Sequence, residues 1–132
     1  MKKFSLTRFE RVKKKKDFEE IYNSNKVFFS KNNLLKSYIL IKKEAENPGV
    51  KFAAAVSKKA GKAVWRNRIK RLLKESYRQN KQSILNKSIE KKISLFIIIS
   101  PNRLSEKNNK NIYLHDISSA AIELIEKIEK KI

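Results

Sequence analysis

The sequence predicts an α+β fold, a small sandwich in which helices pack on a mixed or antiparallel sheet. Its 132 residues suit one domain, which we expect to span residues 1–132. Of these residues 40% are hydrophobic, enough for one modest core. The hydrophobic pattern gives the order helix, strand, strand, helix, strand, helix, and this order indicates helices layered on a sheet.

The N-terminal part is strongly basic. Residues 1–16 end in four consecutive lysines, and we expect this segment to be extended. A short helix follows, with Asp17 as its predicted N-cap. Phe18 and Tyr22 are four residues apart and therefore share one helix face, whereas Ile21 is expected in the core.

Three segments have the composition of β-strands. Residues 34–42 alternate imperfectly and are rich in Leu, Ile and Tyr. After a turn at Pro48-Gly49, residues 50–57 place apolar side chains on one face and charged or small ones on the other. This pattern predicts a sheet with an open surface that a large partner can approach. Residues 93–100 are almost wholly apolar, which is typical of a central strand covered on both faces.

Two longer amphipathic helices complete the prediction. The first covers roughly residues 63–79 and follows a basic loop around Gly61. The second follows a polar loop over residues 101–115, begins at Asp116 as its cap, and carries an apolar stripe that ends at Ile132.

Charge points to a polyanionic partner. The chain has 33 Lys and Arg against 13 Asp and Glu, a formal net charge of +20. In a compact chain these positive charges repel one another. Nucleic acid relieves that repulsion, because Lys and Arg displace counterions from its phosphates. The competing interpretation is a solubilising surface, which does not need so large an excess.

Several classes of site and location are excluded or disfavoured. The chain has no cysteine, so disulfides, cysteine zinc sites and a cysteine nucleophile are excluded. His115 is the only histidine and is expected as a loop or helix-start residue, so no metal site is predicted. The longest apolar run, Leu95–Ile99, is far shorter than the roughly 20 residues of a membrane helix. Without a signal-like N-terminus, the protein is expected in the cytoplasm.

The helix over residues 63–79 carries the strongest functional pattern. At 100° per residue, one stripe holds apolar side chains around Ile69, and the opposite arc holds five polar or basic ones. Their spacing of three and four residues forms a row with steps of roughly 5–6 Å, which can follow an RNA backbone. The alternative is a solvated basic face, but the charge continues into the preceding loop. The five side chains are Asn67, Lys70, Arg71, Lys74 and Arg78.

The segment around this helix resembles a known family. Residues 57–75, SKKAGKAVWRNRIKRLLKE, resemble the signature of the bacterial ribonuclease P protein component, in which an SxK element is followed by GxAVxRNxxKRxxRE. Nearly every signature position is filled. Residues 17–22 resemble the family's first helix and residues 96–99 its late apolar strand, so the resemblance covers most of residues 4–130.

The resemblance implies a specific fold and activity. The fold would be a two-layer α+β sandwich similar to the second domain of ribosomal protein S5, with a left-handed βαβ crossover that runs against the usual preference. The protein would not perform the chemistry, and no catalytic residue is assigned to it. The RNA subunit would position Mg²⁺, whose bound water removes the 5′ leader of precursor tRNA. The expected partners are ribonuclease P RNA and precursor tRNA, with no obligatory protein partner and no membrane.

The resemblance also assigns residues. The leader, a single strand, would lie in a cleft between the first helix, the sheet face and the start of the signature helix. Phe18 and Tyr22 match aromatic cleft positions, and Tyr38 is added as the best candidate from the first long strand. Core packing is the alternative role of Phe18 and Tyr22. The RNA-facing residues would be Lys58, Lys59, Arg66, Asn67, Arg68, Lys70, Arg71 and Lys74.

Three positions depart from the family pattern. Trp65 replaces a usually smaller residue and could fill the core or reach RNA. Lys74 stands where Arg is frequent, which weakens the case for a bidentate contact there. The glycine usual after the first helix is absent, so residues 23–25 must make that turn.

Two other function classes compete with this hypothesis. A ribosomal or chaperone-like RNA-binding protein would explain the charge and size but not the Arg-Asn-Arg signature. A self-sufficient nuclease needs a carboxylate cluster or a His-centred acid–base pair. The only aspartates, Asp17 and Asp116, are both expected as helix caps.

Overall fold

The structure, a computed structural model, describes residues 10–132, and residues 1–9 lie outside the described part. The prediction that residues 1–16 are extended is therefore untested for residues 1–9, and it is wrong for residues 15–16, which belong to the first helix. A 3₁₀ turn spans Lys58–Ala60. Within residues 10–132, four α-helices and four strands follow one another along the chain. They are α1 Lys15–Tyr22, β1 Val27–Phe29, β2 Leu35–Lys42, β3 Gly49–Ala54, α2 Ala63–Asn80, α3 Gln82–Glu90, β4 Ser94–Pro101 and α4 Leu114–Lys131.

The strands form one mixed sheet in the order β1-β2-β4-β3. β2 pairs antiparallel with both β1 and β4, whereas β3 pairs parallel with β4. Because β3 and β4 are parallel neighbours, α2 and α3 must form the crossover between them. The predicted α+β class and the central position of the apolar strand are confirmed, while the hand of the crossover remains a prediction.

The two faces of the sheet are covered differently. On one face, β-strand side chains form the main core with apolar side chains of α2, α3 and α4, among them Ile69, Ile84 and Leu124, none of which is exposed. The other face carries a smaller cluster that includes Ile21 of α1 and Ile98 of β4. Since α1 spans only eight residues, part of this second face stays open.

Both aspartates predicted as N-caps occupy other positions. α1 begins at Lys15, so Lys14 is its N-cap and Asp17 lies inside the first turn. α4 begins at Leu114, and the Asp116 carboxylate accepts the backbone N–H of the N-cap Tyr113 at 3.0 Å. A carboxylate in the first turn stabilises the helix end through its unpaired N–H groups as a cap does, which explains why the sequence pattern misplaced the boundary.

The sequence missed two elements. β1 has only three residues, Val27–Phe29, too few to show an alternating pattern. α3 follows α2 directly, and the break falls at Lys81, whose backbone stays in the αR region. Lys81 is only 6% exposed and its Nζ lies 2.7 Å from the carboxylate of Glu10. A partner 71 positions away holds this junction, so no local pattern could reveal it.

The chain covers both edges of the sheet. At the β3 edge, Arg11 forms a parallel bridge with Phe52, and the Val12 N–H donates to the Phe52 carbonyl at 3.1 Å. At the β1 edge, the Lys127 ammonium donates to the Phe29 carbonyl at 2.7 Å. Each outer strand thus has a backbone carbonyl bonded by another segment of the chain.

The turn after α1 needs no glycine. Asn25 has a φ of 60°, in the left-handed region that Asn tolerates better than most residues. The Ser24 hydroxyl lies 2.7 Å from the Ile21 carbonyl and 2.6 Å from the Ile39 carbonyl, and so links the turn to β2. Residues 23–25 therefore replace the family's usual glycine by a left-handed Asn and a bridging hydroxyl.

Candidate nucleic-acid interface

The inner face of α2 fixes its position on the sheet. Trp65, Ile69, Leu73 and Tyr77 are each at most 4% exposed, as the predicted apolar stripe requires. The Tyr77 ring stacks on Phe52 of β3, with ring centres 4.3 Å apart and planes 1° apart. This packing settles the role of Trp65 as a core residue and turns the opposite face of α2 to solvent.

The outer face of α2 presents the predicted polar row. Asn67, Arg71 and Lys74 are exposed, and Lys70 is half-buried. Arg78 also lies on this face, but its guanidinium is paired with Glu75, with Nε 2.9 Å from a carboxylate oxygen. This pair and the short Nη2 contact to the same carboxylate raise the pKa of Arg78. The row available to a ligand therefore runs from Asn67 to Lys74.

Arg66 and Arg68 flank this row and each binds the chain's own backbone. The Arg66 Nε donates to the Gly61 carbonyl at 3.1 Å. The Arg68 Nη2 donates to the Ile112 carbonyl at 2.6 Å. A guanidinium has five N–H donors, so both side chains keep donors for a ligand while these bonds hold them in place.

Gly61 allows the basic loop to pack tightly before α2. A β-carbon at this position would lie 2.8 Å from the Trp65 ring and 2.7 Å from the Glu106 β-carbon. Only glycine fits such an approach, which explains its place in the signature. Lys58, Lys59 and Lys62, in the 3₁₀ turn and beside Gly61, are all exposed.

The segment before α4 is attached to this loop and to α2. The Glu106 carboxylate accepts the Lys62 N–H, and the Glu106 N–H donates to the Ala60 carbonyl, both at 2.7 Å. The Trp65 indole donates to the Asn109 carbonyl at 3.1 Å. Together with the bond of Arg68 to the Ile112 carbonyl, these contacts fix the start of α2 and the segment before α4 as one unit.

A groove of about 270 Å³ lies on the open face of the sheet, beside the end of α1. Tyr22 and Tyr38 both line it, with ring centres 4.8 Å apart in an edge-to-face arrangement. The Lys36 ammonium, also in the groove, lies 5.6 Å from the centre of the Tyr38 ring. The remaining lining residues are Ala55, Val56, Ser57, Ser100 and Pro101.

The groove combines two tyrosine rings with one cation and two serine hydroxyls. Burial is the largest influence on the pKa of Tyr22 and raises it, and the neighbouring Tyr38 raises it further. A hydrogen bond with Ser100 lowers the same pKa. Tyr22 is therefore a neutral phenol near pH 7, and 40% of its surface is open to a ligand. Sequence reasoning missed Lys36, although its alternation with Tyr38 along β2 places both on one face.

Phe18 lies elsewhere. It is half-buried and packs against the small cluster of Val12, Ile21 and Ile98 on the α1 side of the sheet. The residues that line the groove do not include it. This placement supports the core-packing alternative for Phe18, and its role toward a leader strand stays a prediction.

The described residues offer no protein-only metal site. Within residues 10–132, no group of three or more His, Cys, Asp or Glu side chains is arranged to hold a metal ion. The Mg²⁺ that the resemblance implies thus meets no cluster of three such side chains there. In the same part of the chain, no helix is both long enough and apolar enough to cross a membrane.

Comparisons of sequence agree with this geometry. The sequence model of the family described as Ribonuclease P matches residues 6–121. The Ribonuclease P protein component of Clostridium botulinum (strain Loch Maree / Type A3) is 38% identical over 117 residues, which cover 89% of this chain and 92% of that protein. The corresponding protein of Dictyoglomus turgidum is 33% identical over 118 residues, covering 89% and 87%.

Solved structures share the fold. The structure of the Staphylococcus aureus RNase P protein matches with a TM-score of 0.66 and 27% identity, covering 92% of this chain and 95% of that one. The RNase P protein of Thermotoga maritima matches with a TM-score of 0.68, covering 89% and 96%, and at 19% identity it supports the fold alone. The family match over most of the chain, the identity to its members and the nearly complete signature lead to one conclusion: the chain belongs to the family of ribonuclease P protein components, which act in tRNA processing.

Proposed function

We propose that this chain is the protein subunit of a ribonuclease P ribonucleoprotein in the cytoplasm. In this proposal it binds the catalytic RNA and the 5′ leader of precursor tRNA, and it thereby assists the endonucleolytic removal of the leader. The observation that carries the proposal is the exposed row from Asn67 to Lys74 on a helix whose opposite face is locked into the core. No further protein and no membrane is needed.

The row and the loop before it suit the structured RNA. Lys70 and Lys74 act as point charges toward phosphates, and Arg71 offers a planar fork to a phosphate or a guanine edge. Asn67 adds an acceptor, which pure phosphate binding does not need, so it supports a contact to a base or sugar. Lys58 and Lys59 extend the cationic surface beyond the start of α2.

The groove suits the leader. Leaders differ in sequence, so a site that accepts many of them should use stacking and phosphate contacts in place of base-edge recognition. Tyr22 and Tyr38 supply ring faces, and Lys36 supplies a cation beside them. Ser57, which lines the groove, directly precedes the basic loop, so the leader in the groove would lie beside the structured RNA on the row.

The chemical step belongs to the RNA in this proposal. A protein nuclease would need clustered carboxylates or a His-centred pair. His115 is 82% exposed and contacts only Asp116 among carboxylates, and residues 10–132 hold no three-residue ligand cluster. Mg²⁺ would accordingly be held by RNA and substrate, and the protein would contribute by offsetting phosphate repulsion.

The test is cleavage of a precursor tRNA by a bacterial ribonuclease P RNA at low Mg²⁺, with and without this protein. We expect the protein to restore cleavage at the mature 5′ end and the Asn67→Ala plus Arg71→Ala variant to lose this rescue. Lys130→Ala, an exposed lysine in the last turn of α4, is the matched control for one lost charge and should behave as the unmodified protein. Tight RNA binding without rescue would favour a general RNA-binding protein instead.

A further inference from the structure

Two aromatic rings stand exposed where α4 begins. The rings of Tyr113 and His115 are parallel to within 3°, with centres 5.9 Å apart. Tyr113 is 56% exposed, the highest value for any Phe, Tyr or Trp among residues 10–132, and the His115 side chain is 82% exposed. We call this pair the Tyr113–His115 platform.

The platform is tied to the candidate RNA-binding helix. The Arg68 guanidinium lies 5.9 Å from the centre of the Tyr113 ring, while its Nη2 donates to the carbonyl of Ile112, the residue before Tyr113. The Arg68 cation and the His115 ring thus both lie within 6 Å of the centre of the Tyr113 ring. Arg68 follows Asn67 directly, so the platform adjoins the exposed row of α2.

The platform is also held rigidly. Glu106 and Asn109, on the same segment, are bonded to Lys62 and Trp65 at the start of α2. On the other side, the Asp116 carboxylate accepts the Tyr113 N–H at 3.0 Å. Rings whose backbone is fixed on both sides lose little conformational freedom when a ligand stacks on them, and this preorganisation favours binding.

We infer that the Tyr113–His115 platform, which adjoins the basic row of α2, stacks an unpaired base of a bound RNA. The inference rests on the proposed function and adds a binding site outside the signature. Exposed aromatic rings beside cations are the recurrent means of holding unpaired bases, since every base has a π-face. The surrounding charge fits this occupant, because the ring pair continues the basic face of a chain with net charge +20.

The base could come from ribonuclease P RNA or from precursor tRNA, and two measurements distinguish these sources. The first is the Kd of the protein for ribonuclease P RNA alone. The second is the Kd of the reconstituted holoenzyme for precursor tRNA. Tyr113→Leu and His115→Leu remove the ring faces, while Tyr113→Phe and His115→Phe keep them. Asn111→Ala, an exposed neighbour in the same segment, is the matched control.

We expect each Leu variant to weaken one of the two interactions by roughly five- to 150-fold, the range of one base–aromatic stack. A loss in the first measurement assigns the base to ribonuclease P RNA, and a loss confined to the second assigns it to precursor tRNA. The Phe variants and Asn111→Ala should bind as the unmodified protein does. Unchanged Kd values for both Leu variants in both measurements would overturn the inference.

Salt dependence separates stacking from an indirect effect on Arg68. A lost stack removes no phosphate contact, so Tyr113→Leu should keep the slope of log affinity against log salt. A slope reduced by about one would mean that the ring only holds Arg68 against a phosphate, and this result would overturn base stacking. Thermal unfolding of each variant shows whether it is folded, and His115→Leu provides a second variant that does not touch Arg68.

Arg71→Ala distinguishes this inference from the proposed function. If Arg71→Ala weakens RNA binding and the Leu variants do not, only the platform is refuted. If neither Arg71→Ala nor the Leu variants change either Kd, the proposed RNA-binding face of α2 fails together with the platform.

Discussion

The indole of Trp65 and the α-carbon of Gly61 are so close that a β-carbon on Gly61 would lie 2.8 Å from the ring. Gly61 has a φ of 169°, which is extended backbone open to any residue, so the requirement for glycine is steric and not conformational. Trp65, which departs from the family pattern, is thus packed directly against Gly61, which conforms to that pattern.

Gly61→Ala should destabilise the protein and displace the basic loop. The added methyl group would meet Trp65 and Glu106, and such overpacking costs about 1–3 kcal/mol. Urea unfolding measures the loss. Lys59→Ala, an exposed residue of the same loop, should leave the free energy of unfolding unchanged while lowering RNA affinity. Equal stability of the Gly61→Ala variant and the unmodified protein would contradict the packing described for this loop.

RNA binding should depend steeply on salt. If about six phosphates are contacted, the slope of log affinity against log salt should be about −4 to −5. Arg71→Ala should reduce the magnitude of that slope by about one, because it removes one phosphate contact. Titration of labelled ribonuclease P RNA over a range of salt concentrations measures both values. A slope near zero would refute the electrostatic account.

Tyr22→Ala and Phe18→Ala should have different effects. Tyr22 lines the groove, so its loss should lower the preference for precursor over mature tRNA by about fivefold or more, the value of one stack. Phe18 packs against the small cluster, so its loss should cost about 1–2 kcal/mol of stability, less than the 3–5 typical of a fully buried Phe. Affinities for both tRNA forms, measured beside urea unfolding, separate the two effects. An equal loss for both tRNAs in the Tyr22→Ala variant would count against a leader groove.

Stability should fall at alkaline pH through Tyr77. Burial raises the pKa of Tyr77 most, and the charge of Glu10 raises it further. The folded protein therefore favours the protonated phenol. The linked stability is complete below about pH 10, the ordinary pKa of tyrosine, and is lost as the pH rises further. Tyr77→Phe should therefore show a weaker decline in the free energy of unfolding above pH 10. Parallel curves for the two proteins would exclude Tyr77 as the source.

Local patterns predicted the elements whose hydrophobic pattern is long enough to be recognised within one segment. The apolar stripe of α2 and the buried β4 follow directly from spacing, and the exposed row of α2 follows from the same helical wheel. The α2–α3 break was not predictable, because it is held by a buried lysine whose partner is Glu10. The Tyr113–His115 platform was not predictable either. Its link to α2 depends on Arg68, which lies 45 positions before Tyr113 in the chain.

The covered edges of the sheet have a consequence for self-association. An outer strand with free N–H and C=O groups invites another copy to add a strand, which is the usual start of aggregation. Here residues 11–12 bond to β3, and the Lys127 ammonium occupies a carbonyl of the three-residue β1. With strand addition hindered at both edges and a net charge of +20, copies of this chain repel one another, whereas a polyanion is attracted.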